Sequence, residues 1–459
     1  MSDSPSTTGT LDLDDLRART TGAVVTPDDP RYDELRTVVL GGVDPRPAVI
    51  VRPVDDDDVV AAVTFARDAG LPLAVRGGGH SGAAHGTVDD GLVVDLRERH
   101  GVDVDAAART AWVEAGATAG EVSLATAAHG LAVGFGDTGS VGVAGITLGG
   151  GVGYLSRAHG LTVDNLLAAD VVLADGRVVR ADAGHEPELF WALRGGGGNF
   201  GVATRLQLRL HPLDGVTGGI LLLPATAASI TGAVAATVEA PEELGTILNV
   251  MPCPPLPFVP AELHGSLVVM AMVCWSGPAD EAEAALAPLR SVAEPLADLL
   301  RPVAYPELFP PADPDYHPVA VTRTVMLDHV DLALAERVIE QLTSTDGMRV
   351  VQLRALGGAI ARVPADATAF AHRSSRIMGN VATFVQGDDR ARRTAWAEQT
   401  AALLAQGDPG VYVNFLGDEG PERVRAAYPG ATWDRLRAAK AQYDPGNLFR
   451  RNQNAPPAG

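Results

Sequence analysis

The chain has 459 residues, too many for one small domain, and 46% of them are hydrophobic, enough for a sizeable core. The formal net charge of −21, from 57 acidic and 36 basic residues, argues against a nucleic-acid partner or an anionic membrane surface, since both bind through cations. Lys440 is the only lysine, so there is no Gly-Lys-Ser/Thr phosphate loop, and Cys253 and Cys274 have neither metal-type spacing nor a disulfide framework.

The N-terminus is polar and acidic, without the basic-then-apolar pattern of a leader peptide. No run of about 18 apolar residues occurs, so no membrane span is expected and a cytoplasmic protein is the default. Residues up to about 40 predict a capped helix, a loop rich in Asp and Pro, and a second short helix. The β-branched run Ala48–Arg52 predicts a strand, and Asp55–Asp58 ahead of the apolar pattern Val59–Arg67 predict a helix. Gly70 and Pro72 end that helix, and Leu73–Val75 predicts a strand. Further strands are expected at Gly91–Leu96 and Thr110–Glu114, then a helix over Thr118–Gly130 with Thr118 and Glu121 at capping-box spacing. Val163–Arg180 reads as a hairpin turning at Asp175-Gly176, Pro187–Arg194 as a short helix, and Val202–Leu210 as an alternating strand.

From about residue 215 the glycine tracts stop and prolines gather, as in Met251–Phe258. Leu263–Trp275, Val350–Val363 and Asn380–Val385 predict strands, and Pro278–Leu300 a helix, which together make an α+β region with its own sheet. Val411–Phe415 predicts a strand and Thr432–Tyr443 a helix, followed by the tail Asp444–Asn454.

Glycine is abundant, at 51 residues, and it clusters. Arg76-Gly77-Gly78-Gly79-His80-Ser81-Gly82 follows a strand. Residues without side chains let backbone amides approach a phosphate, and the arginine adds a permanent cation. The other tracts are Gly134–Gly153 and Gly195–Gly201. Gly77–Gly82 and Gly196–Gly201 both fit G-x-G-x-x-G, but neither sits between a strand and a helix, which excludes a Rossmann turn. Gly79–Ala83 resembles a nucleophile elbow but ends in Ala, and His80 with His85 lacks the Cys or acidic neighbours of a metal site. Three glycine tracts, none on a Rossmann unit, imply a large extended cofactor held by loops.

Arg76–Ser81, Gly139–Gly153, Glu188–Val202 and the tail Tyr443–Asn454 resemble, in order, the signatures of the vanillyl-alcohol oxidase/p-cresol methylhydroxylase flavoprotein superfamily and its berberine-bridge-enzyme-like members. That resemblance implies an α+β fold: a two-lobed FAD-binding domain of the p-cresol methylhydroxylase type at 1–215 (core 42–213) and 410–459, with an inserted α+β substrate domain at 216–409 built on an antiparallel sheet. It implies FAD contacts from Arg76, Gly77, Gly78, Gly79, His80, Ser81 and Gly82; from Thr138, Gly139, Ser140, Gly142, Val143, Gly145, Gly149 and Gly153; and from Val202, Tyr412, Asn414 and Asn452. By the same resemblance His80 carries FAD covalently. Some members add a cysteinyl link at the position of Thr138, which has no sulfur, so a single histidyl link is expected. Members also carry Tyr-x-Asn-Tyr where this chain has Tyr412-Val-Asn414-Phe415, so proton transfer falls to Tyr412 or to a central residue such as His372. Val143 matches a small residue that admits oxygen to the flavin. The expected reaction is hydride transfer from a small-molecule substrate to flavin N5, with molecular oxygen as acceptor. A flavin dehydrogenase or oxidative cyclase with another acceptor, or a flavin-binding protein without turnover, are the alternatives.

Overall fold

The computed structural model describes residues 11–459. The first ten residues of the polar N-terminus read above lie outside it. The β-branched run forms the strand Val49–Arg52, which pairs in parallel with Leu92–Asp95, itself parallel to Leu73–Arg76; Ala23–Val25 closes the other edge antiparallel. The helix Asp56–Asp68 starts where the Asp55 side chain accepts the Asp58 N–H at 2.9 Å. It buries Val59, Ala62, Val63 and Ala66 in the core of this lobe. A second, antiparallel sheet has the order Val102–Asp105, Thr110–Glu114, Val202–Arg209, Leu166–Val172, Val178–Asp182. The Thr118–Glu121 capping box forms as expected.

The inserted region builds one large antiparallel sheet. Its order is Ala297–Asp298, Val216–Pro224, Leu267–Trp275, Leu244–Pro252, Arg349–Ala355, Ile377–Phe384, Ala320–Leu327, with Arg301–Val303 also on the edge of Val216–Pro224. Alternate residues such as Leu248, Val250, Val351 and Leu353 pack with residues of the helices Ala227–Val238, Leu332–Thr343 and Arg390–Leu404. The opposite face carries Asn249, Gln352 and Arg354. One apolar core takes its residues from 16–210, Ala369 and 411–455, and a second from 221–404. The architecture is the expected α+β arrangement with an inserted antiparallel sheet.

Several expected elements differ. Val411–Phe415 is not a strand: Val413–Phe415 forms a 3₁₀ turn, because the Tyr412 and Asn414 side chains bond to a glycine tract. The helix within 278–300 is confined to Ala282–Arg290, with short edge strands at Ala297–Asp298 and Arg301–Val303 after it. The 263–275 strand starts at Leu267, after a 3₁₀ turn at Ala261–Leu263. The 350–363 strand ends at Ala355, ahead of a short helix at Ala359–Arg362. The second glycine tract contains the helix Val143–Gly149, which glycine-rich composition concealed. No helix among the described residues is long and apolar enough to cross a membrane. No group of three or more His, Cys, Asp and Glu among them could hold a metal.

Candidate active site

The strand Leu73–Arg76 delivers the chain into Gly77–Gly82, where Gly79 adopts a φ of 72° that suits glycine. Gly78 and Gly142 stand back to back: a Cβ added to either would collide with backbone of the other. Close approach of the first two tracts therefore requires both glycines. The third tract joins them as Gly195 and Gly197 donate to the Leu148 carbonyl at 2.9 and 3.0 Å. Asn452 Nδ2 donates to the Gly198 carbonyl at 2.9 Å and brings in the tail. These loops and the Tyr412–Leu416 turn enclose a cavity of about 420 Å³. The amide N–H groups of Gly77 through Gly82 find no acceptor among the described residues. Such a row of free amides in a glycine loop fits an extended anionic cofactor.

Of the residues expected at this site, Arg76, Gly77, Gly78, Gly79, His80, Ser81, Thr138, Gly142, Gly145, Tyr412, Asn414 and Asn452 line the cavity. His80 Nε2 lies 3.1 Å from Ser140 Oγ, and burial pushes the imidazole below its ordinary pKa, favouring the neutral ring. Ser140 itself does not line the cavity. Gly82, Gly139, Val143, Gly149, Gly153 and Val202 do not line the cavity. Gly149 leaves room for the Asn414 amide, and Gly153 for the Phe135 carbonyl. Val143 and Val202 are fully buried in the core of this lobe.

Two assignments move. Arg76 is not a free cation beside the loop. Its Nε donates to the Gly86 carbonyl at 2.9 Å, Nη1 to the Leu35 and Thr37 carbonyls, and Nη2 to the Arg36 carbonyl at 3.2 Å. It caps the end of the helix Tyr32–Arg36 and fixes the loop from beneath. His372 lies outside the cavity lining, packed against Gly410 with its ring edge-on to Phe370. Its burial depresses the imidazole pKa.

At the far end of the cavity the Tyr412 phenolic oxygen accepts N–H groups from Gly151 at 2.8 Å, Val152 at 3.3 Å and Asn414 Nδ2 at 2.9 Å. Burial holds this phenol above the ordinary tyrosine range, while the three donors and the Arg354 charge pull the other way. Sequence reasoning missed the group beside it. Arg354 pairs with Asp137 at 2.8 Å, donates to the Val152 carbonyl at 3.2 Å and lies 5.2 Å over the Phe415 ring. Gln352 Oε1 accepts from Arg354, and Gln352 Nε2 donates to Asn249 Oδ1 at 2.9 Å. These residues come from different strands and loops, so no local motif announces them. Their one sequence signal is the alternation of Gln352 and Arg354 with the apolar Val351 and Leu353.

A sequence profile described as an FAD binding domain matches residues 47–182, and one described as berberine and berberine like matches residues 411–456. The FAD-linked oxidoreductase YgaK of Bacillus subtilis (strain 168), itself uncharacterized, is 30% identical over 460 residues, which covers 96% of this chain and 98% of that protein. (R)-6-hydroxynicotine oxidase of Paenarthrobacter nicotinovorans is 29% identical over 456 residues, covering 95% and 97%. The crystal structure of 6-hydroxy-D-nicotine oxidase from Arthrobacter nicotinovorans superposes with a TM-score of 0.85 at 27% identity, covering 96% of this chain and 98% of that one.

Proposed function

Because the chain belongs to the FAD-linked oxidoreductases of the berberine-bridge type, we propose that it is an oxidase acting on a C–H of an alcohol, sugar, amine or secondary metabolite, with molecular oxygen as final acceptor and hydrogen peroxide as product. Its cofactor is FAD. Bound FAD supplies the hydride acceptor, flavin N5. Residues 1–215 and 410–459 hold it, and 216–409 cover the substrate. The free amides of Gly77–Gly82 bind its diphosphate, and His80 is the sole covalent tether. The observation that carries this reading is that the free amides of Gly77–Ser81, the His80 ring and the Tyr412 phenol line one cavity.

Proton transfer falls to Tyr412 Oη. His372 is set aside because it does not line the cavity. The N–H groups of Gly151, Val152 and Asn414 would stabilise negative charge on the phenolic oxygen when its proton is absent. Arg354 lines the cavity and orients the substrate against this oxygen, and Gln352, itself bonded to Asn249, holds Arg354 in place. The Phe415 ring packs edge-on against the Tyr412 ring, with centroids 5.1 Å apart.

A flavin that stays with the chain through acid precipitation and a denaturing gel supports the tether, and its loss in His80→Ala assigns it. Flavin released by acid refutes the covalent link. Anaerobic bleaching across a panel of alcohols, sugars and amines identifies the substrate class, and peroxide formed on readmitting air identifies the acceptor. Bleaching without peroxide turns the reading to a dehydrogenase. Because burial raises the Tyr412 pKa, its proton-accepting form grows as pH rises, so turnover should climb through the alkaline range. Tyr412→Phe should abolish that rise and lower turnover by about a hundredfold.

A further inference from the structure

Three arginines line the cavity: Arg76, Arg354 and Arg451. The first is engaged by four main-chain carbonyls, and the second by Asp137, Gln352 and the Val152 carbonyl. Arg451 differs. Its Nε donates to the Thr87 carbonyl at 3.0 Å, and Nη2 makes a longer 3.5 Å contact with the Ala84 carbonyl. Its Nη1 has no partner and its charge no ion pair among the described residues.

The turn that Arg451 clamps, Ala84–Thr87, lies directly on the glycine cradle. A Cβ added to Gly86 would sit 3.8 Å from the Gly79 Cα and 3.5 Å from the Arg76 Cγ. Ala84 N–H also closes the turn onto the Ser81 carbonyl at 2.9 Å. His85 lines the cavity from the same turn. Burial, with the Arg451 charge, pushes its imidazole down to about 4, so it is neutral and adds no cation at neutral pH. The one charged group held against the cradle with a free donor is therefore Arg451.

We infer that Arg451 is the cation that recognises the FAD diphosphate, its free Nη1 edge turned toward the anion held by the Gly77–Gly82 amides. The assignment rests on the reading of the cavity as an FAD site. Two carbonyl contacts fix the guanidinium plane, which suits a planar donor fork facing phosphate oxygens. The permanent cation that the Arg-Gly-Gly-Gly pattern assigns to Arg76 is thus supplied from the C-terminal tail. Arg76 keeps a positioning role beneath the loop.

The test uses the His80→Ala protein, in which flavin binding is an equilibrium, with and without Arg451→Gln. Dissociation constants are measured for FAD, for ADP (diphosphate without flavin) and for riboflavin (flavin without phosphate). Loss of one charge-assisted contact predicts about a tenfold rise in Kd for FAD and ADP, with riboflavin changed less than about twofold. Salt should weaken FAD binding more in the parent than in the Gln variant. Arg451→Lys, which keeps the charge, should recover most of the FAD affinity, and circular dichroism checks that each variant is folded. Equal losses for all three ligands would reduce Arg451 to a prop for the 84–87 turn and overturn the assignment, as would no loss for FAD. Failure of the parent to bind FAD at all would refute the cofactor reading itself.

Discussion

Around the cavity the cofactor lobe packs main chain against main chain, whereas the inserted lobe reaches the cavity through the side chain of Arg354. In the first, Gly78 meets Gly142 backbone to backbone, and the amides of Gly77–Gly82 remain free. In the second, the sheet faces the cavity with Arg354, supported in a row by Gln352 and Asn249. Where backbone meets backbone, as at Gly78 and Gly142, no Cβ fits, so the residue type there is narrowly set. A side-chain site is set by which faces of distant strands converge, and it can change specificity without disturbing the fold.

The largest test of this contrast is on the cofactor side. Lys440 is fully buried and donates to Asp444 Oδ2 and the Asn199 carbonyl, each at 2.6 Å, and to the Phe449 carbonyl at 3.2 Å. It ties the third glycine tract to the tail. Lys440→Met leaves Asp444 buried without its cation and should cost about 4 kcal/mol in chemical unfolding, with loss of bound flavin.

Gly78→Ala comes next. Its Cβ has no space, and overpacking predicts a loss of about 2–3 kcal/mol and a lower flavin-to-protein absorbance ratio. Gly145→Ala is the control: nothing lies within 4 Å of its Cβ, and it sits inside the helix Val143–Gly149 where Ala is the better helix former, so stability should hold or rise by up to about 1 kcal/mol. Similar losses at both positions would erase the argument from backbone contact.

On the other side, Gln352→Leu leaves Asn249 Oδ1 and the Arg354 Nε without their partner. The expected cost is about 1–2 kcal/mol, with flavin content unchanged and the substrate KM raised. Flavin loss in this variant would break the division between the lobes.

The last test is a pH dependence, small near neutral pH, to which buried histidines of the cofactor lobe contribute. Burial pushes His85 and His211 down to about 4, so both stay neutral in the folded chain while the unfolded chain binds protons below about 6.5. Stability from these groups is present above about pH 6.5 and declines as pH falls toward 4. His85→Asn should flatten the thermal-unfolding midpoint over that window. An unchanged slope would show that His85 is already protonated in the folded state.

The sequence by itself determined the cofactor. Glycine tracts, the Arg-Gly-Gly-Gly-His-Ser order and the tail are local and contiguous, because a backbone cradle is built from neighbouring residues. The strand periodicities outlined an antiparallel insertion, although the strands Val216–Pro224, Leu244–Pro252 and Ala320–Leu327 and the helices Ala227–Val238, Leu332–Thr343 and Arg390–Leu404 are not among the expected elements. Tertiary structure decided which charges face the cavity. Arg76 stands beside the cradle in sequence yet is engaged by the carbonyls of residues 35–37, and His372 turns out to pack off-site. Arg451 reaches the cradle from 364 residues away, where it meets the Thr87 carbonyl. Val411–Phe415 has the composition of a strand, but the Tyr412 and Asn414 side chains hold it in a turn against the glycine tract. Long side chains choose partners by where the folded backbone leaves unsatisfied carbonyls and amides, and spacing along the chain does not encode that choice.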